Sequence, residues 1–259
     1  LIPACRPTEP AKNSPDSTRD FAEGALRLDW RQWRRNGAED FTLERLRFER
    51  TWPGRRKRLA DGLDWGDYRL SVYDVNRDAL LFRQGFDTSL DPAARSATTQ
   101  LTVRFPMPQR PVRAEVEKRR SESAFHVLSS ITIDPNVDSV DRSAGAIATR
   151  VDAILASGEP DTKVDLAILG DGYVEAEYPK FADDAARAAG YLFSIDPFRK
   201  RKRDFNVSSV FAPSTSSGVT DVYLGLKKDT VFHCAYHSGG SERSLADGNN
   251  HAVREVASA

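Results

Sequence analysis

The stretch Val164-Asp165-Leu166-Ala167-Ile168-Leu169-Gly170-Asp171-Gly172-Tyr173 constrains this chain more than any other. A short apolar run ends in Gly-Asp-Gly, and a helical pattern follows at once. Leu166 to Leu169 are consecutive apolar residues, which predicts a strand buried on both faces. Gly170 and Gly172 permit a tight turn, and Asp171 suits the cap of the following helix. Glu175 and Glu177 sit where a helix dipole favours negative charge, and Pro179 has to lie in the first turn. Phe181, Ala185, Ala188 and Leu192 recur at helical spacing, so that face packs on a sheet. An α/β domain begins here.

Upstream the apolar period is two, the period of half-buried strands. Leu26, Leu28 and Trp30 share one face, with Arg27 and Asp29 on the other. Phe41 and Leu43 begin a second strand after an Asn36-Gly37 turn. Further strands are predicted at Tyr68–Val72, Leu80–Phe86, Leu101–Phe105, Val112–Val116 and Phe125–Ile133. About seven short strands with Gly, Pro and Asp turns between them predict an antiparallel β-sandwich over residues 24–135. Residues 1–23 read as a flexible segment and 136–160 as a connection. Within that connection Val151, Ile154 and Leu155 suit a short helix, closed by Gly158 and stopped by Pro160.

Residues 161–259 continue the α/β pattern. Phe205, Val207 and Val210 read as a second strand, Pro213 to Gly218 as a flexible loop, and Val231 to Tyr236 as a third strand. Asn249 onward, with Ala252, Val253 and Val256, reads as a helix cut short by the chain terminus, which predicts an unfinished domain. The whole is an α+β multidomain chain.

Charge narrows the function classes. Lys plus Arg and Asp plus Glu are both 38, so a balanced chain gives no argument for nucleic acid or for a membrane surface. No apolar run approaches the roughly 18 residues needed to span a bilayer. Cys5 and Cys234 make neither a disulfide framework nor a metal-binding pair. The opening Leu1-Ile2-Pro3-Ala4-Cys5 looks like the end of a bacterial lipoprotein signal, which makes Cys5 a candidate lipid anchor; a chance match is the other reading.

Four motifs attract chemistry. His233 and His237 are four apart, the spacing with which a helix holds zinc, but Cys234 stands where a metalloprotease helix needs Glu. Arg199 to Arg203 is a basic run that reads as a solvated helix end. Gly170-Asp171-Gly172 lacks the third glycine and the acidic partner of a dinucleotide site. Ser214 to Ser217 has no nucleophile-elbow pattern. No catalytic, cofactor-binding or metal-binding residue is assigned.

Two sets of residues nevertheless resemble a known family. One is Asp165 to Tyr173 with Phe181, Asp196-Pro197-Phe198, Phe205-Asn206-Val207 and Ser217-Gly218-Val219. The other is Trp52-Pro53-Gly54, Gly66-Asp67-Tyr68, Gly85-Phe86, Val103 to Pro106 and Ile133-Asp134-Pro135. In this order they resemble the IgA-peptidase family of bacterial zinc metallopeptidases over about residues 24–259, and the tail from Ser241 to Ala257 fits as well. The resemblance implies a β-sandwich joined to a zincin-like catalytic domain, in a secreted, periplasmic or cell-surface protein acting on protein or peptide substrates. It also implies a zinc ion that activates water beside a glutamate base. That family holds its zinc on a His-Glu-x-x-His helix, and none of His126, His233, His237 and His251 is followed by Glu. The loop between Phe86 and Thr99 is shorter than the family's. The resemblance therefore implies a sandwich and the incomplete first part of a peptidase domain, inactive alone. The alternative is a non-catalytic sandwich binding module with a remnant peptidase domain. An unrelated α/β enzyme has no motif in its favour.

Overall fold

The computed structural model describes residues 17–90, 96–122, 124–143, 145–237, 245–246 and 248–259. They form two compact units that divide between Arg142 and Ser143. Cys5, Gly239-Gly240 and the Ser241–Arg243 segment lie outside the described residues.

In the first unit a single helical turn, α1 (Ser17–Asp20), leads into β1 (Phe21–Arg35) and β2 (Ala38–Glu49). Asn36 and Gly37 have φ of 51° and 83°, the mirror-image turn whose twist suits a two-residue hairpin, and Arg35 faces Ala38 across it. There follow β3 (Tyr68–Asp74), β4 (Leu80–Phe86), β5 (Ser96–Pro108), β6 (Val112–Arg119), β7 (Phe125–Ile133) and the brief β8 (Val140–Asp141). Two four-stranded sheets result, ordered β5-β1-β2-β8 and β4-β3-β6-β7.

Alternation along the strands makes the core. Leu26, Leu28, Trp30, Phe41 and Phe105 of one sheet meet Leu70, Val72, Phe82, Val116 and Ile133 of the other in one buried cluster, so the unit is a β-sandwich. Arg27 and Asp29 take the opposite face of β1, as alternation requires, yet they too are buried. Arg27 Nε and Nη2 donate to the Asp29 carboxylate at 2.8 and 3.0 Å, which lets both charges leave water.

A polar knot ties the sheets together at one end. Glu39 on β2 accepts from Gln32 and Arg34 on β1, from Tyr68 on β3 at 2.5 Å, and from Lys118 on β6 at 2.9 Å. Burial alone would raise its pKa, but the bonds from Tyr68, Lys118, Arg34 and Gln32 outweigh it and hold the carboxyl at about 2. Burial and the bond to Glu39 push the Tyr68 hydroxyl up to about 12.

The second unit is built on β9 (Arg150–Leu155), β10 (Val164–Leu169) and β11 (Phe205–Phe211), in the order β10-β11-β9. The helix expected over Val151, Ile154 and Leu155 is a strand, paired antiparallel to β11. A six-residue segment with apolar residues only at Val151, Ala153, Ile154 and Leu155 is too short for periodicity to tell strand from helix, and pairing with β11 decides it. β10 runs parallel to β11, with α2 (Tyr178–Leu192) crossing between them and Pro179 in its first turn. Phe181, Ala185 and Ala189 face the sheet in steps of four, so Ala188 is exposed where the sequence spacing had placed it inward. β10 is also not buried on both faces: it is an edge strand, and Val164 is 53% exposed.

Along β11 the two faces serve two layers. Val207 and Phe211 pack toward α2, while Val210 joins Phe232, Ala252 and Val256 on the other side. Ala252 and Val256 belong to α3 (Asn250–Ala257), whose Asn249 cap accepts from the Ala252 amide at 3.1 Å. Three two-residue strands, β12 (Thr220–Asp221), β13 (Ala235–Tyr236) and β14 (Leu245–Ala246), complete the unit.

Candidate functional site

The Gly170-Asp171-Gly172 turn leaves the end of β10 among buried neighbours. A Cβ on Gly170 would lie 2.7 Å from the Phe181 ring, and one on Gly172 would lie 2.4 Å from the Gly218 carbonyl oxygen. Gly172 also has φ of 75°, so close approach and backbone conformation both require glycine there. The backbone then pairs with the chain beyond β11. Ser214 N donates to the Tyr173 carbonyl at 2.7 Å, and Gly218 N donates to the Gly172 carbonyl at 2.8 Å.

Asp171 does not cap α2. Its carboxylate accepts from the backbone N–H of Phe232 at 3.0 Å, from that of Cys234 at 2.9 Å and from the Thr230 hydroxyl at 2.7 Å. Burial would raise its pKa, but the donors from Phe232, Thr230 and Cys234 prevail and hold it below the usual carboxylate range. These bonds also explain why the predicted strand from Val231 to Tyr236 shrinks to Ala235–Tyr236. The amides of Phe232 and Cys234 point at a carboxylate instead of a neighbouring strand.

The start of α2 is managed without Asp171. A 3₁₀ turn at Glu175–Glu177 precedes it, and the Glu177 carboxylate accepts from the Val174 amide at 3.0 Å. Glu177 also accepts from the Ser217 hydroxyl at 2.8 Å.

Ser214 is no loose loop residue. It is buried, and its Oγ accepts from the Gly172 and Val231 amides, each at 3.1 Å. Asp171 and Ser214 together form a clamp: the Ser214 hydroxyl donates to Asp171 Oδ1 at 3.4 Å, and the backbone amides and the Thr230 hydroxyl that donate to this pair tie it to the surrounding chain, a structural arrangement. The clue in the sequence was position. Asp171 and Ser214 each stand just past the end of a core strand, where a buried side chain meets unpaired amides.

The histidines do not converge. His233 is exposed with φ of 53°, and His237 has φ of 61°, so the pair is not on a helix. His237 Nε2 lies 3.7 Å from Asp221 Oδ2 with its ring against Tyr223, centroids 4.3 Å apart. His126 is on β7 and His251 on α3. Among the described residues no three His, Cys, Asp or Glu side chains gather as a metal ion requires. A zinc ion needs three or four such ligands at about 2 Å, so the residues described do not fit one. Arg199 to Arg203 are exposed and lie beyond the end of α2, with Arg199 and Lys200 on Asp196 and Arg201 on Asp204.

No helix among the described residues is long and apolar enough to cross a membrane. No curated protein matches the chain. Two family models do match: IgA Peptidase M64 over residues 153–259, and Peptidase M64 N-terminus over residues 16–129. The second corresponds to the sandwich and the first to the sheet that carries the Asp171 clamp. The chain belongs to the IgA peptidase M64 family.

Proposed function

We propose that this chain is the sandwich and the opening α/β portion of a zinc metalloendopeptidase that acts on proteins outside the cytoplasm. What carries this reading is the pair of family matches, in order, over residues 16–129 and 153–259. In it the Asp171 clamp has a supporting role. It fixes the end of β10 against the 214–234 segment, and so sets the frame on which a peptidase site is assembled. The residues of this chain do not themselves hydrolyse peptides, because no His-Glu-x-x-His is present to hold the metal and supply the base. Cys5, as a lipid anchor, would keep the protein at a cell surface.

The test is a purified preparation of this chain, assayed for zinc content and for hydrolysis of a fluorescent casein. Less than stoichiometric zinc and no hydrolysis are expected. Hydrolysis abolished by a chelator and restored by zinc would overturn the proposal.

A further inference from the structure

The sandwich carries a second feature that the peptidase reading does not use. A surface hollow of about 620 Å³ lies between the 63–67 loop and the β6–β7 turn, lined by Leu63, Trp65, Asp67, Arg119, Arg120 and Glu122 among others. Trp65 is 73% exposed and Leu63 59%. The two side chains together form an apolar patch on the lining of the hollow, and covering a side chain of this size gains roughly 1.5–3 kcal/mol.

The loop is not loose. A Cβ on Gly85 would lie 1.8 Å from the Trp65 carbonyl oxygen, and one on Gly66 would lie 2.5 Å from that of Phe86. The guanidinium of Arg119 donates to the carbonyls of Gly66, Asp64 and Glu122, fastening both rims of the hollow. Arg69 holds the Asp64 carboxylate at 3.1 Å, and the Asp67 amide donates to Asp87 at 2.7 Å. Arg69 and Arg119 both lie over the Phe125 ring, at 4.1 and 4.5 Å. Trp65 is therefore presented by a fixed platform.

What remains unused is telling. The Trp65 indole N–H, the Asp67 and Glu122 carboxylates and the Arg120 guanidinium have no hydrogen-bond or ionic partner among the described residues. An exposed aromatic ring beside free acceptors and free donors matches a molecule with an apolar face and a rim of hydroxyls, since each hydroxyl both donates and accepts. Two free carboxylates against one free guanidinium disfavour a polyanion. We propose that this hollow binds a neutral saccharide chain, one pyranose ring stacked on Trp65 with its hydroxyls on Asp67, Glu122 and Arg120.

The test uses the whole chain with cellohexaose, xylohexaose and chitohexaose, followed by tryptophan fluorescence and calorimetry to millimolar concentration. At least one should bind and shift the emission. Trp65→Ala should weaken binding at least about tenfold, the scale of losing one stacked ring, and Trp65→Tyr should restore most of it. Both variants should melt with the parent, because the ring packs little. Asp67→Asn, which leaves the platform in place, should weaken binding independently. Failure of all three saccharides to bind overturns the proposal, as does binding that Trp65→Ala and Asp67→Asn leave unchanged. Neither result bears on peptide hydrolysis.

Discussion

Glu39 concentrates the electrostatics of the sandwich in one side chain. Four residues, two on its hairpin partner β1 and one each on β3 and β6, aim donors at it, and it is held at about 2 against an ordinary 4.5. A depressed carboxyl contributes stability that is complete above its unfolded pKa and is lost as pH falls through the folded one. The loss therefore runs from about pH 4.5 down to about pH 2, and linkage puts it on the order of 3 kcal/mol. Glu39→Gln should remove that acid limb, which urea titrations at pH 7, 4 and 2.5 would show as a flattened dependence. An unchanged limb would mean that other carboxylates carry it. Asp171 works in the same way for the other unit, at the level of backbone rather than sheets. Asp171→Ala strands the Phe232 and Cys234 amides in a partly buried site, at a cost of about 3 kcal/mol. Faster hydrogen exchange over residues 230–234, with α2 unaffected, is the expected signature. Its partners lie some sixty positions away. Local sequence therefore showed a capping residue type in Asp171 but could not show which amides it would meet.

At the scale of elements, periodicity was a good guide where one face was buried and a poor one where length was short. The strands of the sandwich and the helix from Tyr178 were legible because their apolar residues repeat over several turns or pleats. The strand at Arg150–Leu155 was not, since its identity depends on pairing with β11. The helix face shows the limit most sharply. Ala188 and Ala189 are adjacent and chemically identical, and only the position of the sheet makes the second one the buried residue. Ala189→Glu should therefore cost about 3 kcal/mol by forcing a charge into the cluster with Phe193 and Val207, while Ala188→Glu should stay within about 0.5 kcal/mol of the parent. Circular dichroism melts of the two variants decide it. Equal effects would mean that α2 sits differently on its sheet.

At the scale of the molecule, each unit closes its own hydrophobic clusters: the one between the two sheets of the sandwich, and those on either face of the β10-β11-β9 sheet. Separate cores predict separate unfolding. Calorimetry should resolve two transitions, and the variants above supply their assignment. Glu39→Gln at low pH should move only the transition of the sandwich, and Asp171→Ala only that of the α/β unit, because the two side chains share no hydrogen-bond partner and each belongs to a different unit. The connecting residues give a second handle. Ser143 and residues 145–149 are mostly exposed and small, which suits cleavage by elastase, and a cut there should leave a sandwich fragment with its transition unshifted. A single transition displaced by both substitutions would show that the two cores unfold as one, and the assignment of the Trp65 platform and the Asp171 clamp to separate structural units would then fail.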